Sequence, residues 1–206
     1  MLDNVTRRHQ QTTTTSLAPI ALNDKFAVGR ASLNDLTAIL DIYNQSIAGK
    51  QATAQLAPVT SAERASWFDE HLNDPKRPIY VVTTTSADSP AVIVAWGSFS
   101  DLYARTAYHI SSEVSIYLHR DYHRQGLGRL LIEWMLTQAP SLGIHNVVAL
   151  IFAHNMPSLT LFRKLGFEQW GYMPQVCDMQ GFIADVVMLG IAIDNNVSET
   201  SISAKQ

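Results

Sequence analysis

Cysteine is almost absent from this 206-residue chain: Cys177 is the only one. No intrachain disulfide can form, and a reducing compartment fits. A lone cysteine is usually a small hydrophobe, and a catalytic thiol needs an activating neighbour that the local sequence does not offer. Long apolar runs are missing too. The longest, Val186 to Ile193, is broken by Gly190 and falls far short of the ~20 residues that cross a bilayer. Met1 to Ser16 is polar and threonine-rich, with no apolar signal core. Excess positive charge is lacking as well. The formal net charge is -3, which argues against nucleic acid or a membrane surface as a partner held by a positive field. These absences predict a soluble, cytoplasmic protein.

What remains is an ordinary globular composition, 47% apolar and 16% charged, at a length that suits one domain with one substantial core. Residues 1–24 lack periodicity, Thr12 to Thr15 is a low-complexity run, and the end of the chain is polar. The expected domain therefore spans 25–193, between mobile tails of residues 1–24 and 194–206. Within it, Phe26 to Gly29 reads as a short strand. Ser32 with Asp35, and Thr60 with Glu63, are capping signals for two helices. The first carries Leu36, Ile39, Leu40, Tyr43 and Ile47 at helical spacing. Ile79 to Thr84, Ala91 to Phe99 and Tyr108 to Leu118 read as strands. A third helix follows Gly126, and Val147 to Phe152 is a buried strand. Asn155 caps a fourth helix that Gly166 ends. Phe167 to Met173 and Phe182 to Ile191 complete a βααβββαβαββ order, which implies a mixed sheet with helices on both faces. Trp67, Phe68 and Trp134 read as core anchors.

The segment His123-Arg124-Gln125-Gly126-Leu127-Gly128-Arg129 links a strand to the start of an amphipathic helix. Glycines let backbone N–H groups approach a ligand, and a first helical turn has unpaired donors and a positive dipole end. Together they suit a pyrophosphate, with Arg124 and Arg129 able to add charge-assisted contacts. A P-loop would need Lys-Ser/Thr after the last glycine, where Arg129-Leu130 stands. A dinucleotide fold would need a third glycine, where Leu131 stands. A coenzyme A loop and a plain helix-starting turn both remain open at this level. His119 and His123 lack the neighbouring glutamate of a zinc motif, so no metal is expected.

Further segments narrow the choice. Ile42-Tyr43-Asn44, Pro58-Val59-Thr60 to Trp67-Phe68, Glu113-Val114-Ser115-Ile116-Tyr117-Leu118, Gly126-Leu127-Gly128, Asn155-Met156-Pro157-Ser158 and Leu161-Phe162-Arg163-Lys164-Leu165-Gly166-Phe167 occur in that order. With these, Phe26 to Ile191 resembles the GNAT acetyltransferase superfamily, and within it the group of phosphinothricin, methionine sulfoximine and methionine sulfone acetyltransferases. The resemblance implies an α/β (α+β) GNAT fold with a mixed, splayed central sheet of about six to seven strands and helices on both faces. It implies acetyl-CoA as co-substrate, no metal, a small amino-acid-like primary amine as the molecule acylated, and a homodimer. Backbone groups of Tyr117, Leu118 and His119 would then pair with the pantetheine arm like an added strand. The pyrophosphate would rest on Arg124, Gln125, Gly126, Leu127, Gly128, Arg129 and Leu130, and Asn155 would touch the arm. Tyr103, Arg105, Thr106, Ala107 and Tyr108, with Glu113, Val114 and Ser115, would face the substrate.

An amine must shed its ammonium proton before it can attack an acyl carbon. Strand alternation puts Glu113, Ser115 and Tyr117 on one face, and a carboxylate in apolar surroundings has a raised pKa suited to a base near neutrality. By pattern alone, the reading of an exposed glutamate near a strand end stays open. It is the resemblance, with Glu113 in the family-like strand, that implies Glu113 as the base. Backbone N–H groups of the same strand can stabilise developing oxygen charge. The chain departs from the group at four places. His123 replaces the usual Gln or Arg. Tyr103 stands at the first of two arginine positions, leaving Arg105 at the second. Phe162 replaces a tyrosine that serves many GNAT enzymes as general acid. Cys177 to Phe182 lacks the expected aromatic and basic residues. Another small amine, a peptide N-terminus, or a non-catalytic acyl-CoA sensor are the alternatives.

Overall fold

The computed structural model describes residues 18–86 and 89–193. Of the tails expected over 1–24 and 194–206, residues 1–17 and 194–206 lie outside the described residues. The expected domain start at Lys25 moves back, because Ile20–Ala21 forms a short strand, β1, paired antiparallel with β2, Phe26–Arg30. Asn23 makes the turn between them: its Oδ1 accepts from the N–H groups of Lys25 and Phe26 at 2.8 and 3.0 Å. A two-residue strand has no periodicity to read, and this asparagine turn is its only sequence trace.

At Ser32 the backbone N–H donates to Asp35 Oδ2 at 2.7 Å. Leu33–Asp35 then winds as one 3-10 turn before helix α1, Leu36–Ile47. Helix α2, Ser61–Asn73, opens on a reciprocal cap. The Glu63 N–H donates to Thr60 Oγ1 at 3.3 Å, and the Thr60 N–H donates to Glu63 Oε2 at 2.8 Å. Ile39, Ile42 and Tyr43 of α1 and Phe68 of α2 bury a common cluster against one face of the sheet.

The remaining strands are β3 (Ile79–Thr84), β4 (Ile93–Asp101), β5 (Ser111–Leu118), β6 (Asn146–Phe152), β7 (Glu168–Asp178) and β8 (Ile183–Ala192). Helices α3 (Leu127–Gln138) and α4 (Met156–Lys164) cover the opposite face, where Leu131, Ile132, Met135 and Phe162 enter the larger core. Gly166, at φ 89°, stops α4. The Phe167 N–H reaches Phe162 O and the Gly166 N–H reaches Arg163 O, both at 3.1 Å. The rings of Phe162 and Phe167 meet edge to face at 4.9 Å, the apolar contact that accompanies such an ending.

Two expected strand boundaries shift by three residues or more. The strand expected from Tyr108 starts at Ser111, because Thr106–Tyr108 closes a 3-10 turn. The strand expected to stop at Met173 runs on to Asp178 through a register shift between Met173 and Cys177. Pro174 reads as a stop in sequence, but β7 is an edge strand, where proline and bulges are tolerated.

The sheet has eight strands, in the order β1-β2-β3-β4-β5-β6-β8-β7. The count exceeds the expected six to seven by β1. All neighbours are antiparallel except β5 and β6, which are parallel and pair only at Ser111↔Asn146, Ser112↔Val147 and Glu113↔Val148. Beyond Glu113, β5 stays bound to β4 as far as Leu118↔Ala95, and β6 stays bound to β8 as far as Phe152↔Val186. Each strand follows its outer neighbour, and a gap opens between them.

Candidate active site

The gap is a cavity of about 390 Å³, lined by Glu113 to Tyr117 on one side and Ala149 to Phe152 on the other. Asn155, Ser158 and Phe162 of the α4 region, Gln51 to Ala54 after α1, and Met173, Val176 and Cys177 of β7 complete it. The face alternation expected for β5 holds. Val114, Ile116 and Leu118 join the core under α3, while Tyr117 packs toward α1 and α2. Its ring stacks on Trp96 with centroids 4.7 Å apart, and burial pushes its phenol pKa well up, with Tyr43 and Glu113 adding to the shift.

Among the described residues, Glu113 is the only charged one that lines the cavity. It sits at the vertex, where β5 and β6 last touch. Burial raises its carboxyl pKa above the ordinary 4.5, and no hydrogen bond contributes to that shift.

The cavity wall from Gln51 to Ala54 had no trace in the sequence pattern, since Lys50 to Pro58 has no periodicity. Long-range polar ties hold it. Lys50 Nζ donates to the carbonyls of Met179 and Gln180 at 2.6 and 2.9 Å. The His154 ring donates through Nε2 to Lys50 O at 2.8 Å. Asn155 Nδ2 donates to Gln51 O at 3.0 Å, while its Oδ1 accepts from the Ser158 N–H at 3.2 Å. Asn155 is thus both the expected cap and a cavity residue.

At the start of α3, Gly126 takes φ 78°, and a Cβ built there would meet nothing within 4 Å. The N–H groups of Leu127, Gly128 and Arg129 have no acceptor among the described residues. These are the free donors that the loop reading requires. The neighbouring side chains are placed less simply. Gln125 Nε2 donates to Asp121 O at 2.9 Å, and Arg129 Nε donates to Glu133 Oε1 at 2.7 Å. Arg124 is exposed at φ 59°. The Leu130 N–H is already used by Gly126 O at 3.1 Å. On the strand edge, the His119 N–H donates to Val94 O at 2.8 Å. Leu118 O lies 3.1 Å from His123 Nε2. Of the three residues expected to offer backbone groups to an added strand, only Tyr117 also lines the cavity. The free amides, the open space at Gly126 and the parted strands fit a pyrophosphate followed by a narrow arm.

The segment of Tyr103, Arg105, Thr106, Ala107 and Tyr108 lies elsewhere. None of these five lines the cavity. Tyr103 and Tyr108 are 51% and 41% exposed and pack ring to ring at 4.9 Å. Val114 and Ser115 do reach the cavity. Among the described residues, no three His, Cys, Asp or Glu side chains converge as a metal site would need. No described helix is long and apolar enough to cross a membrane.

Residues 37–167 match the model of the acetyltransferase (GNAT) family. The chain is a GNAT acetyltransferase. GNAT enzymes are N-acetyltransferases that use acetyl-CoA. Its relatives include YwnH of Bacillus subtilis (strain 168), provisionally named a phosphinothricin acetyltransferase. YwnH is 41% identical over 160 residues, which cover 78% of this chain and 94% of YwnH. The L-methionine sulfoximine/L-methionine sulfone acetyltransferase of Pseudomonas aeruginosa (strain PAO1) is 32% identical, over 80% of this chain and 92% of that protein. Among solved structures, yncA of Salmonella typhimurium, with its cofactor acetyl-CoA, superposes with a TM-score of 0.75 at 26% identity, covering 87% of this chain and 99% of yncA.

Proposed function

We propose that this acetyltransferase acylates the primary amine of a small amino-acid-like compound of the phosphinothricin, methionine sulfoximine or methionine sulfone type, with Glu113 as the base. The observation that carries the reading is the position of Glu113: a desolvated carboxylate at the vertex of the strand gap, alone in charge among the described residues that line it. The names of YwnH and of the Pseudomonas enzyme support the substrate class.

Acetyl-CoA, when bound, supplies an acyl carbon activated as a thioester. The amides of Leu127, Gly128 and Arg129 would hold its pyrophosphate, and Tyr117 and Asn155 would border its arm. The amine arrives as an ammonium, whose pKa lies near lysine's ~10.4. Glu113 takes that proton, directly or through one water, and the apolar walls keep bulk water from competing. Phe162 cannot donate a proton, and none is required of it, since a thiolate of pKa ~8.5 is a competent leaving group.

The same reading makes the enzyme a cytoplasmic homodimer. Trp170, Tyr172, Val176, Phe182 and Ile183 are exposed apolar side chains along β7, the turn after it and the start of β8, a surface that a second copy would cover. Arg105 and Tyr108 would meet a substrate carboxylate only if their loop is brought to a cavity mouth, in that dimer or on closure.

A second reading, an amine without a carboxylate, has one observation in its favour: among the described residues, no Lys or Arg lines the cavity. The test is thiol release from acetyl-CoA with methionine sulfone, methionine sulfoximine, phosphinothricin and their carboxyl esters. Faster turnover of the free acids supports the proposal; faster turnover of the esters supports the second reading. Coenzyme binding without release for any amine would mark a sensor.

A further inference from the structure

Glu113 stands directly opposite Ser100 in the β4–β5 register. In such an antiparallel pair the two Cβ atoms lie about 4.5–5.5 Å apart on one face, so the Ser100 hydroxyl is a natural donor to the carboxylate. That hydroxyl is engaged elsewhere. Ser100 Oγ lies 3.1 Å from Nε2 of His71 on α2, and Nδ1 of the same ring lies 2.8 Å from Trp67 O. A carbonyl only accepts, so Nδ1 carries the proton. In the neutral ring Nε2 is then bare, and Ser100 must be the donor. Its proton points at His71, away from Glu113.

We infer that His71 is a positioning residue for the base: neutral, it holds the Ser100 proton off Glu113, and protonated, it releases that proton to the carboxylate. The inference rests on the reading of Glu113 as the base. When His71 is charged, both ring nitrogens donate, Ser100 Oγ becomes an acceptor from Nε2, and its own O–H turns toward β5. A donated hydrogen bond favours the ionised carboxylate and weakens it as a base. The protonation state of His71 therefore biases that of Glu113 through one hydrogen bond.

The surroundings favour the neutral ring near neutrality. Burial is the largest influence on His71 and lowers its pKa. The Trp67 carbonyl, Asp74 and Glu70 act against burial, and Arg64 acts with it. The Trp67 ring packs on His71 at 4.2 Å. On the Glu113 side the neighbouring polar rings are Tyr117 and, 5.0 Å from it, Tyr43. The Arg77–Asp101 ion pair, at 2.7 Å, follows Ser100 on β4.

The test is NMR on the free protein, with labelled Glu carboxyl carbons and His ring nitrogens, in wild type, His71→Phe, Ser100→Ala and the double variant. Wild-type His71 is expected as the Nδ1–H tautomer at pH 8. In His71→Phe the freed hydroxyl turns to Glu113 and lowers its titration midpoint by roughly 0.5–1 unit, the share of one hydrogen bond. Ser100→Ala leaves the midpoint high, and the double variant returns to the Ser100→Ala value. The acid limb of kcat/KM is expected to move in parallel. An Nε2–H tautomer in wild type, an unmoved midpoint in His71→Phe, or an equal fall in the double variant overturns the inference. Ser100→Ala and the wild-type tautomer remain informative if His71→Phe does not fold. Full activity in Glu113→Gln would defeat the base reading instead, while leaving the NMR couplings intact.

Discussion

Glu113 pairs with Val148 at the last register before β5 and β6 separate. Its backbone is pinned by β4 on one side and β6 on the other, and the residue lines the cavity that opens where β5 and β6 part. Burial there raises its carboxyl pKa. Between the ordinary value, 4.5, and the raised one, the folded state binds more protons than the unfolded state. Stability tied to this group is therefore fully present below that window and is lost as pH rises through it. Glu113→Gln should melt above wild type at pH 8, with the difference vanishing near pH 4, by about 2–4 °C for each kcal/mol relieved. Thermal scans at the two pH values check this. A variant that melts below wild type at pH 8 would show that the carboxylate is not a burial cost.

Gly126→Asp separates ligand binding from folding. The position is left-handed, which aspartate tolerates better than most residues, and its Cβ would meet no protein atom within 4 Å. On the proposed reading that open space takes the pyrophosphate. The added carboxylate should repel a pyrophosphate and raise the dissociation constant of acetyl-CoA at least about tenfold, a loss of ~1.4 kcal/mol. Titration calorimetry with a parallel melt reads both effects, and unaltered affinity would move the anion elsewhere.

Lys50→Met cuts the tie from the α1–α2 loop to the carbonyls of Met179 and Gln180. Gln51 to Ala54 and the β7–β8 hairpin border the cavity away from the glycine cradle. The amine KM should rise several-fold, acetyl-CoA affinity should hold, and amide exchange should quicken at the hairpin turn. Unchanged exchange there would mean that the lysine holds nothing.

Asn155→Ala removes two bonds at once, the cap to the Ser158 N–H and the donation to Gln51 O. Loss of a helix cap costs about 0.5–2 kcal/mol, and the Gln51 carbonyl loses its partner as well. A melt within 1 °C of wild type, against the roughly 2–4 °C expected per kcal/mol, would contradict this double role.

The readable parts of the chain were those with local causes. The stripe of α1, the Thr60–Glu63 cap, the glycine stop at Gly166 and the alternation of Glu113, Ser115 and Tyr117 all follow from spacing and short-range hydrogen bonds. The geometry of the candidate site was legible where a loop joins a helix: α3 starts after Gly126 and Asn155 caps α4. It was not legible where distant segments meet. The Gln51 to Ala54 wall is held by Lys50 and Asn155 through bonds 104 to 130 residues apart in sequence, and no window of sequence contains both ends. The β7 bulge hid behind Pro174, whose missing N–H matters only in an interior strand. Arg105 and Tyr108 had the right chemistry for a carboxylate, but a 3-10 turn at Thr106–Tyr108 holds their segment on the surface.

The most direct test is the pH dependence of thiol release from acetyl-CoA, with methionine sulfone, for wild type and Glu113→Gln. Removal of a general base is expected to lower kcat by about 10²–10⁴, with acetyl-CoA affinity unchanged. The wild-type rate should fall on acidification through a midpoint above the ordinary glutamate range, and that limb should be missing in the variant. Equal rates and superimposable profiles would contradict the assignment of the reaction to this carboxylate.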